Sequence, residues 1–360
     1  MRFVKRVAAL AVVLGLVVTG CSDGGQSGSA AGGSGDTVVF GGPGGATGEL
    51  FRAAIADFQK ETGINVTYQE GAVQEVYSKV LAGAQAHRPD IDVYYANDAT
   101  SYTGKSQGLY QALDTAALTN ADKLAPDSLP SDKIGVTIYG TLEVLVYNTD
   151  LLKQNNLDPP TSWSDMWNPA YTKCGLVLAE PHGSAREWYM MNDVSSNGDM
   201  YNFETTLAKI AEVEKRGEIT SIVESAQNVS DDVAAGKGCI GAVNQGKVLD
   251  SISNGAPIDF AIPKEGTAAL YLYLQLVSDA PHADAGNKLI NYFLGTSAQQ
   301  RFYEKGGETP VNKDVTKATS GPAARITLFS DMGDTKLLVP DPEKSDLDGW
   351  LKQFQDMVAR

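Results

Sequence analysis

The chain has 360 residues, 42% of them hydrophobic and 20% charged, a balance that supplies a core and excludes a disordered chain. At about 150 residues per domain, that length accommodates two domains. A formal charge of −15 without a Lys/Arg cluster makes the chain a poor partner for nucleic acid or an anionic membrane surface, three cysteines rule out a cysteine-rich zinc or iron–sulfur site, and the scattered His87, His182 and His282 form no ligand pair at metal spacing, so no metal or cofactor is expected.

Arg2, Lys5 and Arg6 precede an apolar run from Ala8 to Val18, the pattern of an export signal too short to span a bilayer. Val18-Thr19-Gly20-Cys21 resembles the bacterial lipobox. That resemblance implies cleavage before Cys21 and diacylation of its sulfur, so the body is expected at the extracytoplasmic face of the cell membrane, held by lipid only. Removing residues 1–20 takes three cationic side chains and moves the formal charge from −15 to −18. Residues 21–35 read as a Gly/Ser tether; the 14 residues after Cys21 span roughly 20 Å as a flexible coil.

The body then alternates strand and helix patterns. Asp36–Phe40 is an apolar strand run, followed by glycines and a helix in which Leu50, Phe51, Ala54, Ile55 and Phe58 recur at helical spacing up to Thr62-Gly63. Ile64–Tyr68 and Ile91–Tyr95 are strands, with a helix over Tyr77–Ala86 between them. In the second half, Gly175–Ala179, Cys239–Val243 and Ile258–Ile262 read as strands, and Tyr201–Lys215, Ala283–Phe293 and Ser297–Lys305 as helices. This alternation predicts an α/β fold with a mainly parallel sheet covered by helices.

Phe58–Tyr68 (FQKETGINVTY), Val146–Asp150 (VYNTD), Thr161–Tyr171 (TSWSDMWNPAY), Pro257–Gly266 (PIDFAIPKEG), Asn287–Gly295 (NKLINYFLG) and Thr309–Asn312 (TPVN) occur in this order. Together they resemble the spermidine/putrescine-type solute-binding proteins of ABC importers, over about Asp36–Val315. The closing Trp350–Val358 suits the family's terminal helix. The resemblance implies a periplasmic-binding-protein-like fold: two α/β lobes joined by a hinge, with solute trapped between them and passed to an ABC permease. Crossing segments are expected near Tyr139–Glu143 and Gly255–Asp259. Lobe 1 would then hold residues 36–140 and 259–308, and lobe 2 residues 141–258 and 309–360. A monomer is expected.

Candidate ligand contacts come from loops after strands. Gly42, Gly44 and Gly45 offer bare backbone N–H groups at a helix N-terminus, suited to an anionic group or simply to a tight turn. Asn97 and Asp98 follow a strand; Asp98 could pair with an amine or cap the next turn. Ser184, Arg186 and Glu187 open a helix: Arg186 could clamp a carboxylate or phosphate, and Glu187 could accept from an amine or answer the helix dipole. Asn244 and Gln245 follow another strand. Tyr139 lies in the first crossing segment. Tyr271 and Tyr273 alternate in LYLYLQLV, either as aromatic walls for a cation or as core strand.

Against the family's pattern, Leu270 and Leu272 stand where an aromatic and an amine-binding aspartate are expected, Val243 where a tryptophan is expected, and Ser184 where an aspartate is expected, while Glu187 keeps the family's glutamate. The paired tyrosines of related ferric-iron binders are absent near Asn244-Gln245. The expected solute is therefore small, polar and zwitterionic or anionic (an amine, aminophosphonate or organophosphate), with a genuine polyamine as the alternative. No HExxH and no positioned Cys/His pair is present, and the chain is read as a binding protein rather than an enzyme.

With Cys21 lipidated, two cysteines remain in an exported chain. Cys174 and Cys239 each sit at the start of a strand, on one sheet edge if those strands are neighbours, and are expected to form a disulfide.

Overall fold

The apolar segments assemble around one mixed sheet, seen in a computed structural model that describes residues 36–181, 186–332, 337–338, 344 and 346–359. β1 (Thr37–Gly42), β2 (Asn65–Glu70) and β3 (Val93–Asn97) are parallel, with β1 central. Between them run α1 (Gly45–Thr62) and α2 (Val73–Gln85), and α3 (Asp98–Ser106) follows β3. α1 buries Phe51, Ala54, Ile55 and Phe58, the stripe its spacing announces, and stops at Gly63, whose φ of 74° is cheap only for glycine.

After β4 (Tyr110–Gln111) comes β5 (Val136–Asn148), a strand of 13 residues that are all buried. Short helices α4 (Thr149–Gln154) and α5 (Pro169–Thr172) lead to β6 (Leu176–Ala179), α6 (Arg186–Asn197), α7 (Phe203–Lys215), β7 (Ile219–Val223), α8 (Ala226–Ala234), β8 (Ile240–Asn244), α9 (Gln245–Ser253) and β9 (Ile258–Ala261). β10 (Thr267–Val277), α10 (Ala283–Phe293), α11 (Thr296–Gly306), β11 (Thr309–Pro310), β12 (Leu337–Leu338) and α12 (Leu347–Val358) complete the chain. The main strand order is β2-β1-β3-β10-β5-β8-β6-β7.

Two large apolar cores form on different parts of this sheet. The first gathers Phe40, Phe51, Phe293, Phe302 and Leu274. The second gathers Trp163, Trp188, Tyr189, Val146 and Ile240, with Trp350 and Phe354 of α12 packed on it. β5 serves both: its first half pairs with β10, and its second half pairs with β8 and β9. β10 is the second long strand at this junction, bonded to β3 and β5. The turn at residues 254–257 leads into β9, whose residues pair with Leu145–Asn148 and pack on the second core.

The Cys174–Cys239 disulfide forms, with Cα atoms 5.5 Å apart. β6 and β8 are parallel neighbours, and the Cys239 amide donates to the Gly175 carbonyl at 2.8 Å, which brings the two strand starts together. Trp163 is structural: it is fully buried and its indole donates to the Gly266 carbonyl at 3.0 Å.

Candidate functional site

In open α/β sheets, ligand loops lie at the carboxyl ends of strands. Here those ends are the β1–α1, β3–α3, β6–α6 and β8–α9 turns, with the middles of β5 and β10 running between them.

The β5 middle carries a feature the motif search passed over. Thr141 lies opposite Leu270 of β10, and Glu143 lies opposite Asn244 of β8. Strand alternation puts Thr141 and Glu143 on one face, and Gly140 and Leu142 on the other. Both polar side chains are buried, and Thr141 Oγ1 and Glu143 Oε1 have no hydrogen-bond partner. A buried carboxyl without a partner is costly unless something else uses it. Burial, and then the charge of Glu187 nearby, holds the Glu143 carboxyl well above the ordinary carboxylate range. Glu187 is itself buried in the first turn of α6. The available signal in the sequence was an acid inside an otherwise apolar run, VTIYGTLEVLVYN.

The expected residues lie as follows. Asn97 is half-buried and caps α3, its Oδ1 accepting from the Thr100 amide at 2.9 Å and hydroxyl at 2.8 Å. Asp98 occupies the first turn of the same helix rather than its cap. Asn244 ends β8 and lines a small cavity of about 60 Å³ with Ala46 and Thr47 of α1, Lys247 of α9 and Glu308, so the two groups of loops nearly touch there. Gly42 closes β1, and a Cβ there would strike Phe40 and Tyr68. Gly44 precedes α1 and Gly45 begins it with φ of 64°. A Cβ on Gly44 would lie 2.8 Å from Glu70 Oε1, and Glu70 pairs with Arg52. The α1 N-terminus thus already faces a carboxylate, which weakens its case as an anion cradle.

Tyr139 and Gln245 are interior rather than cleft-facing. Tyr139 is buried in the first core, its hydroxyl 2.8 Å from that of Tyr95 and its ring packed on Phe302, so no part of it is left to reach a solute. Gln245 donates to Thr309 Oγ1 at 2.8 Å and to the Thr327 carbonyl at 3.2 Å, and accepts from the Thr327 amide at 3.1 Å. Its polar capacity is consumed in fastening the C-terminal segment.

Tyr271 and Tyr273 point to the face opposite Leu270 and Leu272, because β10 alternates. Leu272 enters the first core, while the two tyrosines line a cavity of about 530 Å³ with Phe329, Thr137 and Pro126. Tyr271 packs against Phe329 at 5.6 Å, an approach that Gly140 permits, since a Cβ there would lie 2.7 Å from the Phe329 ring. Cys21, Ser184 and the side chain of Arg186 lie outside the described residues. Among the described residues no group of His, Cys, Asp and Glu is arranged to hold a metal ion, and no helix is long and apolar enough to cross a membrane.

Known proteins share both the sequence and this architecture. The family model for bacterial extracellular solute-binding proteins matches residues 53–325. The spermidine/putrescine-binding periplasmic protein of Escherichia coli K12 is 26% identical over 298 residues, covering 80% of each chain. A putative 2-aminoethylphosphonate-binding periplasmic protein of Salmonella typhi is 24% identical, covering 72% of this chain and 73% of its own. Among solved structures, a spermidine/putrescine ABC transporter substrate-binding protein of Streptococcus pneumoniae superposes with a TM-score of 0.73 at 18% identity, covering 90% of this chain and 98% of that one. A putative extracellular solute-binding protein of Bordetella parapertussis gives 0.75 at 17%, covering 90% and 99%. The fold is therefore periplasmic-binding-protein-like, and the chain belongs to the bacterial extracellular solute-binding proteins.

Proposed function

We propose that this chain is the lipid-anchored receptor of an ABC importer, and that its solute is a small polar molecule bearing an ammonium group. The observation that carries the solute class is the buried polar face of β5: Glu143 with an unpartnered oxygen, beside Glu187 and the unpartnered hydroxyl of Thr141. An ammonium group donates three hydrogen bonds and supplies the charge that such a face lacks. The two cores act as lobes closing about β5 and β10, the monomer delivers the solute to the permease, and no reaction is performed on it.

The first reading is a zwitterion, such as an amine carrying a carboxylate or phosphonate. It is supported by Arg186 in the sequence and by Leu272, which stands where polyamine binders are expected to carry an aspartate. The second is a naked polyamine, favoured by Glu143, which adds an acid that the sequence pattern did not anticipate. A thermal-shift screen of spermidine, putrescine, 2-aminoethylphosphonate, amino acids, thiamine and sugar phosphates tests the class. Stabilisation follows RT ln(1 + [L]/Kd), so a solute at 100 Kd adds about 2.7 kcal/mol. Amines should raise the melting temperature without being consumed; a response to sugar phosphates alone would sink the proposal. Calorimetry on Arg186→Ala separates the readings: a zwitterion loses affinity, whereas a polyamine keeps or gains it.

A further inference from the structure

Glu143 and Glu187 come from different elements, β5 and α6, and both are buried. No lysine or arginine among the described residues forms an ion pair with Glu143. Its cross-strand partner on β8 is Asn244, the β10 residues beside it are Ala268, next in register, and Thr267, whose hydroxyl donates to the Glu143 carbonyl, and its neighbour on its own face of β5 is Thr141. All four are uncharged, and the charge of Glu187 on α6 acts on its carboxyl. A nearby carboxylate and burial both oppose ionisation of Glu143. A cation placed against Glu143 would offset both.

We infer that Glu143 carries a proton before solute arrives and releases it to solvent when an ammonium group takes up position against the same carboxyl. This rests on the amine reading above and goes beyond it, because capture becomes an exchange of one cation for another. The O–H bond of the Glu143 carboxyl breaks and its proton passes to bulk water. The amine arrives already protonated, since its ordinary pKa is near 10, and no covalent bond forms. Net charge in the cleft is the same before and after, which removes the cost of placing an extra charge in a buried site.

The consequence is directional. Below the carboxyl's own titration point, each unit of rising pH makes the proton ten times easier to lose, so solute affinity should rise by up to tenfold per unit. Above that point the dependence should flatten. The other reason for solute affinity to change with pH, loss of the amine proton, acts in the opposite sense and only near pH 10.

The test is calorimetry on the intact protein with the amine that gives the strongest thermal shift among spermidine, putrescine and 2-aminoethylphosphonate, in pairs of buffers of different ionisation enthalpy. Proton release that approaches one per solute at low pH and falls as pH rises is expected. Glu143→Gln, confirmed as folded by circular dichroism and melting temperature, should release none, lose the pH dependence and bind at least tenfold more weakly. Glu143→Asp should recover part of the proton release. Binding without proton exchange, or exchange unchanged in Glu143→Gln, overturns the inference and leaves the amine reading standing. Failure of every amine to bind at any pH overturns both.

Discussion

Gln245 and Thr327, 82 residues apart, exchange two hydrogen bonds: the Gln245 side-chain amide donates to the Thr327 carbonyl at 3.2 Å and accepts from the Thr327 amide at 3.1 Å. A side chain here substitutes for a strand, pairing with backbone as a neighbouring ladder would. It also donates to Thr309 at 2.8 Å, so one glutamine at the start of α9 holds two points of the chain beyond α11.

Gln245→Ala should therefore destabilise the protein strongly. It orphans the Thr327 amide, while the Thr327 carbonyl keeps the Thr309 hydroxyl as a donor at 3.1 Å. One polar group left unmatched costs about 1–3 kcal/mol, and urea unfolding should show a loss of that size. A loss below 0.5 kcal/mol would mean that this fastening is dispensable.

The Cys174–Cys239 bridge closes a loop across 65 residues. On the chain-entropy model its removal costs ~4 kcal/mol. The Cys174→Ser, Cys239→Ser double variant should melt well below the parent, and the denatured, unreduced parent should show no titratable thiol. Two free thiols would contradict the bridge.

Asp193 on α6 gives a pH signature separate from that of Glu143. Burial raises its pKa to about 7, against hydrogen bonds from Thr206 that act in the opposite sense. An acid whose folded pKa is raised binds its proton more tightly when folded. Its contribution to stability is full below the unfolded value near 4 and is lost as pH rises through about 7. Melting temperature should therefore decline from pH 5 to pH 8 through this group. Asp193→Asn, which keeps an acceptor for the Thr206 amide, should flatten that slope. An identical slope in the variant would exclude Asp193 as its source.

Lipid attachment is tested at Cys21. Cys21→Ser should leave a soluble body in the extracytoplasmic fraction, whereas the parent stays with membranes and incorporates labelled palmitate. Membrane retention of the variant, with no label in the parent, would exclude the anchor.

How much of this was legible from the chain alone follows from the range of the interactions concerned. Helix α1 was readable because its burial stripe and its terminating Gly63 are set within a few residues. The pairing of Cys174 with Cys239 was readable from the oxidising compartment and from two strand starts, and needed only β6 and β8 to be neighbours. The family was readable because six motifs kept their order. The site was less so. Tyr139 and Gln245 look like cleft residues by position, but Tyr95 and Thr327, distant in sequence, absorb their polar groups. Tyr271 and Tyr273 alternate as expected; which face of β10 meets which core depends on the register with β3 and β5. Glu143 carries no motif, and its burial, its neighbour Glu187 and its unpartnered oxygen exist only once β5, β8 and α6 are assembled. Local sequence determined the elements and their order, since caps, periodicity and turns act over a few residues. Tertiary structure alone decided which polar side chains were left for a solute, because hydrogen-bond satisfaction is a property of what packs against a residue and not of its neighbours in the chain.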